Sequence, residues 1–85
     1  MSRRTYSGDQ VIKVLVNHGP FHIDRVRGDH FILRWEPPDE HTDADARTVV
    51  VPRDDELPTG TLRKIGEQAG MKDFGRFRDW LDRNL

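Results

Sequence analysis

The chain has no cysteine, so disulfides and thiolate metal sites are excluded, and the missing disulfide framework in so short a sequence fits a reducing compartment. No apolar run approaches the length that spans a membrane. The two arginines of the opening Met1-Ser2-Arg3-Arg4-Thr5 are not followed by the apolar stretch of a secretory leader. Neither secretion nor membrane insertion is expected, and the chain reads as cytoplasmic. No sign of charge dominates either: 34% of the residues are charged, yet the net charge is only -1. The whole-molecule field therefore does not announce a nucleic-acid binder, and any affinity for nucleic acid has to come from local clustering. Lysine is scarce, occurring only at 13, 64 and 72, while arginine supplies the other cations and aspartate outnumbers glutamate. That balance is as compatible with adaptation to high salt as with compositional drift. Internal repeats and low-complexity segments are absent as well.

What is there is 85 residues, enough for one core that buries somewhat more than ~60% of the unfolded surface. Ser7 and Gln10 have the capping-box spacing, and Val11, Ile12, Val14 and Leu15 follow at helical intervals, which predicts a first helix. Asn17-His18-Gly19-Pro20 stops it, with Gly19 expected in the left-handed conformation. Strict alternation in the next segment puts Phe21, Ile23 and Arg25 on one side of a strand and His22, Asp24 and Val26 on the other. Gly28-Asp29 is a hairpin turn. In the second strand Phe31, Leu33 and Trp35 form the core face, leaving His30, Ile32 and Arg34 on the opposite, solvent side.

An acidic, aperiodic connection from Pro37 to Asp45 reads as a mobile loop. Arg47 to Val51 is a third strand. Thr59 or Thr61 is expected to cap a second helix with Leu62, Ile65 and Ala69 on one face. Gly66 costs that helix about 1 kcal/mol relative to alanine and suggests the close approach of another backbone. Asp73 caps a third helix carrying the stripe Phe74, Phe77, Trp80 and Leu81. The expected organisation is a single domain over residues 1–85, with a core at 7–70 and a C-terminal helix at about 73–83. The order α-β-β-β-α plus that helix predicts an α+β fold, a three-stranded antiparallel sheet covered on one face by helices, in the manner of the double-stranded-RNA-binding-domain-like fold.

These landmarks together resemble the HicA (YcfA-like) family of small mRNA-cleaving toxins from toxin-antitoxin pairs. The residues that carry the likeness are Asn17-His18-Gly19-Pro20-Phe21, the Gly28-x-His30 turn, Val49-Val50-Val51-Pro52, Gly60-Thr61-Leu62-Arg63-Lys64-Ile65 and Gln68-Ala69-Gly70. The resemblance implies a ribosome-independent endoribonuclease with mRNA as substrate, one essential histidine, here His30, and a HicB-like antitoxin as partner. It implies no membrane, and no DNA for the toxin alone. Two features depart from the family: Asp29 stands where a small hydroxyl is usual, and the chain is not basic.

Cleavage of RNA without a metal requires removal of the 2′-OH proton, in-line attack on phosphorus, protonation of the leaving 5′-oxygen and neutralisation of the developing charge. His30 is assigned as general base because an imidazole changes charge near neutral pH. Arg27, Arg34, Arg63 and Lys64 are the candidate phosphate ligands, with Gly28 shaping the turn and the amides of Thr59, Gly60 and Thr61 open to a phosphate. Asp29 either favours imidazolium at His30 or orients its ring. Neither His22 nor His41 has metal-ligand spacing to a second histidine on one helix face, and the acidic run at 39–45 lacks the glycine and terminal glutamate of a calcium loop, so neither metal nor cofactor is expected. Two other readings stand beside the enzyme. One is a non-catalytic RNA-binding module in which His30 is one contact among several; the other is a degenerate toxin acting as a protein-interaction module.

Overall fold

The computed structural model describes residues 4–37 and 45–85; most of the acidic connection, with His41, lies outside the described residues, as does the start of the chain. The element order is α1 (Gly8–Asn17), β1 (His22–Arg27), β2 (His30–Trp35), β3 (Arg47–Pro52), α2 (Thr59–Gln68) and α3 (Phe74–Arg83). The strands form one antiparallel sheet in the order β1-β2-β3, which is the expected α+β architecture. No described helix is long and apolar enough to cross a membrane.

α1 starts where the capping box is written. Ser7 Oγ accepts from the Gln10 backbone N–H at 3.1 Å, and Gln10 Oε1 accepts from the Ser7 N–H at 3.0 Å. Val11, Val14 and Leu15 then bury completely. The helix stops for a different reason than expected, because Gly19 is not left-handed: the positive-φ residues are Gly28 and Gly70. A Cβ on Gly19 would sit 2.8 Å from the Leu15 carbonyl and 3.3 Å from the Trp80 ring, so close packing, not backbone handedness, is what requires glycine there. The left-handed cap belongs to α2. The Gly70 N–H donates to the Glu67 carbonyl and the Met71 N–H to that of Gly66, a Schellman motif with Gly70 at φ +91°.

At its other end α2 also differs from expectation. Its N-cap is Pro58, and neither Thr59 nor Thr61 caps it; no side chain accepts from its first amides among the described residues. Within it, Gly66 admits a ring more than a backbone, since a Cβ there would lie 2.8 Å from Phe77 Cδ2 and 3.3 Å from the Met71 carbonyl. Asp73 does cap α3, accepting from the Arg76 N–H at 3.1 Å. Phe77 and Leu81 bury fully and Phe74 and Trp80 partly, with the Phe77 and Trp80 rings stacked at 6.3 Å.

All three helices feed one core with Leu33, Val49 and Val51 from one face of the sheet, joined by Phe21, Leu57 and Tyr6. Among the described residues the sheet's other face carries no helix. β3 continues one residue beyond the expected boundary, to Pro52, whose missing N–H costs nothing at a strand end.

The largest departure from the expected pattern is in β1. Ile23 pairs with Leu33 and Arg25 with Ile32, so Asp24 is an extra residue and a β-bulge. Paired residues share a face, so the bulge puts Ile23 and Val26 on the helix side and Arg25 and Arg27 on the open side with His30. Ile23 and Val26, 45% and 51% exposed, lie on the edge strand beyond the cover of the helices.

Candidate functional site

The turn that presents His30 is built from two residues. Arg27 pairs with His30 across it, Gly28 has φ +61°, and Asp29 has a negative φ, the pattern of a type II′ hairpin whose twist matches that of the strands. A side chain at position 28 would be strained although space is open there. The tip is anchored as well, because the Arg53 backbone N–H donates to the Asp29 carbonyl at 2.8 Å.

The open face of the sheet is laid out in rows by the strand register. Nearest the turn are Arg27, His30 and Pro52; next come Arg25, Ile32 and Val50; then His22, Arg34 and Thr48. Ile32 is buried to 7% without joining the helix-covered core, so the solvent-side residue of the sequence pattern is instead the small apolar centre of a cationic face. A groove of about 410 Å³ runs beside β3, lined by His30, Val50, Pro52, Thr61, Lys64, Ile65 and Gln68. Its α2 wall follows from helical spacing, positions 61, 64, 65 and 68 falling on one side of the helix. Gln68 fastens that wall to the sheet, its Oε1 accepting the Val50 backbone N–H at 3.1 Å. A second hollow is shared by Arg27, His30, Ile32 and Val50.

Of the expected site residues, Arg27, Gly28, Asp29, His30 and Lys64 are brought together. Arg34 shares the face but sits four residues along the strand, about 13 Å away. Its guanidinium donates to Glu36 and Thr48, each at 3.0 Å. Arg63 is not part of the cluster: its guanidinium lies 4.5 Å over the Phe74 ring, turned towards α3. Among the described residues no cluster of three or more His, Asp or Glu with metal-holding geometry is present.

The sequence reading missed Gln68 and Arg25. Gln68 was detectable, four residues after Lys64 on the same helical face. Arg25 was not, because only the bulge brings it into phase.

At His30 itself, Nδ1 lies 2.8 Å from Asp29 Oδ1. A carboxylate only accepts, so Nδ1 carries the hydrogen and Nε2 is the ring nitrogen left for chemistry. Both side chains stay well exposed, His30 at 50% and Asp29 at 75%, so solvent reaches the imidazole freely. The arrangement offers one proton-transfer group between an arginine on the neighbouring strand and a lysine across the groove.

Compared with known proteins, the chain matches a family model described as the HicA toxin of bacterial toxin-antitoxin pairs, over residues 8–71. The matched region takes in the sheet, α1, α2 and the turn that carries His30, and stops short of α3. No curated protein and no solved structure matches it.

Proposed function

The chain belongs to the HicA toxin family of toxin-antitoxin pairs, and on that premise we propose that it is an endoribonuclease that cleaves mRNA with His30 as general base and is silenced by a HicB-like antitoxin. The observation that carries this reading is the half-exposed imidazole in a groove between Arg27 and Lys64, on the sheet face that no helix covers. A structural histidine has no need of two flanking cations and an open groove.

In this mechanism Nε2 of His30 takes the proton of a ribose 2′-OH as its oxygen attacks the adjacent phosphorus. The P–O5′ bond breaks on the opposite side, the departing 5′-oxygen takes a proton from solvent, and the products are a 2′,3′-cyclic phosphate and a 5′-hydroxyl. Arg27 and Lys64 offset the charge that builds on the phosphoryl oxygens. The uncapped first amides of α2, at Thr59–Thr61, are open to a neighbouring phosphate at the end of the helix where Thr61 borders the groove. No cofactor enters this scheme, and the whole chain acts as one domain.

The test is induction of the native protein and of His30→Ala, following growth and total mRNA, with cleavage of a defined RNA by the purified proteins. General-base catalysis is worth about 10²–10⁴-fold, so the variant should lose at least about 10²-fold in cleavage and no longer arrest growth. Its circular dichroism and thermal unfolding should match the native protein, since His30 contributes nothing to the buried core. Undiminished cleavage by the folded variant overturns the assignment.

A further inference from the structure

We infer that Asp29 is a positioning residue for His30: its carboxylate selects the neutral tautomer with hydrogen on Nδ1, leaving the lone pair of Nε2 free for the RNA. The inference rests on the proposed role of His30. It explains a residue that otherwise works against the protein, since a carboxylate at the tip of an RNA-binding hairpin repels the phosphate backbone.

The argument starts from the imidazole. A neutral histidine carries its hydrogen on one ring nitrogen, and an unpaired ring in water prefers Nε2. That tautomer has no lone pair on Nε2 and cannot take a proton there. An acceptor beside Nδ1 reverses the preference, because the hydrogen bond exists only when Nδ1 holds the hydrogen. Asp29 Oδ1 is such an acceptor, at 2.8 Å.

Adjacent residues in a regular strand point to opposite faces, so a neighbour in sequence seldom reaches the ring. Here the II′ turn bends the chain between them, with Gly28 at φ +61°. The Asp29 backbone is also held from a third segment, its carbonyl accepting from the Arg53 N–H at 2.8 Å. The carboxylate is therefore delivered to Nδ1 by a turn pinned at both ends. With Nδ1 engaged by Asp29, Nε2 is the ring nitrogen left free, on a side chain that borders the hollows it shares with Arg27 and with Lys64.

The pair is exposed, which limits the effect. A carboxylate hydrogen bond in contact with water biases an equilibrium by no more than about fivefold, so the expected loss is at most of that size and far below the loss of the base itself.

The experiment compares native protein, Asp29→Ala, Asp29→Asn and His30→Ala. Ring ¹⁵N spectra of His30 in the free protein at about pH 8.5, where an ordinary imidazole is neutral, report the tautomer directly. The expected result is a larger Nδ1–H share in the native protein than in Asp29→Ala, where Nε2–H predominates, and that share restored in Asp29→Asn, whose amide oxygen still accepts. In cleavage assays Asp29→Ala should lose up to about fivefold in kcat with no rise in KM, because the same substitution removes a charge that repels RNA. Asp29→Asn should keep the native kcat.

A native ring already in the Nε2–H form, or a tautomer and kcat unmoved by Asp29→Ala, overturns the inference. So does equal kcat loss in Asp29→Ala and Asp29→Asn, which would assign the effect to charge alone. Failure of the proposed catalysis is seen separately, as full cleavage by His30→Ala, and leaves the spectroscopic result standing.

Discussion

A cation binds a phosphate well only if its side chain is not already committed, and the arginines and lysine first grouped by sequence separate on that criterion. Arg27 and Lys64 make no ion pair among the described residues and border the two hollows beside His30. Arg34 spends its donors on Glu36 and Thr48, and Arg63 is stacked on Phe74. Arg27→Ala and Lys64→Ala should therefore each weaken RNA binding without base preference. Each should also make the dependence of log affinity on log salt shallower by about 0.7, the value for one phosphate contact to a single strand. Arg63→Ala should leave that slope at its native value, and Arg34→Ala should change it less than Arg27→Ala. Titrations of a short single-stranded RNA at several salt concentrations read all four. Equal slopes for the native protein, Arg27→Ala and Lys64→Ala would place the RNA elsewhere on the surface.

Several elements whose signals are local were legible in the sequence, though the expected cap of α2 was not one of them, and those whose causes lie across the fold were not. The capping box at Ser7 and Gln10, the cap at Asp73 and the turn at Gly28 each need partners only a few residues away, and all three form. The phase of β1 was misread because a bulge at Asp24 depends on the partner strand, and with it went the placement of Arg25 on the face of His30. The glycines show the same divide. Gly60, in the first turn of α2, has nothing within 4 Å of a Cβ, whereas one on Gly66 would press on the buried Phe77 ring and the Met71 carbonyl. Alanine is worth up to about 1 kcal/mol over glycine in a helix, while overpacking a core costs about 1–3 kcal/mol. Gly60→Ala should therefore stabilise the protein by up to about 1 kcal/mol. Gly66→Ala should destabilise it by about 1 kcal/mol net, a fall of about 4–8 °C in Tm for a chain of this size. Urea or thermal unfolding of the two variants checks both signs, and a stabilised Gly66→Ala would mean that Phe77 can retreat.

At the scale of the whole molecule, two contacts between distant segments hold the frame that carries the hairpin, and neither has a signature in the sequence. Tyr6, fully buried before α1, donates its hydroxyl to Asp82 on α3, and burial first, then that carboxylate, raises its pKa. Arg53, just after β3, clamps Asp9 of α1 through two donors at 2.8 and 3.1 Å, and its guanidinium lies 5.2 Å over the Phe31 ring. The Arg53 hydrogen bonds hold the Asp9 carboxyl below its ordinary value, with desolvation opposing them and the Arg53 charge adding to them. A carboxyl whose folded pKa is depressed adds stability above its unfolded value, near 3.9, and that contribution disappears as pH falls through the lower, folded value. The native protein should thus be more stable than Asp9→Asn at neutral pH; the gap should begin to narrow as the pH drops below about 4 and close only once it is below the folded value. Arg53→Ala removes the same ion pair together with the contact on Phe31, which does not titrate. Its deficit should shrink on acidification but persist after the Asp9→Asn deficit has closed. Thermal midpoints of the three proteins between about pH 2 and pH 7 separate the two contributions. If the Asp9→Asn difference stays constant with pH, the clamp does not hold in solution; if the Arg53→Ala deficit closes together with it, the stacking on Phe31 adds nothing.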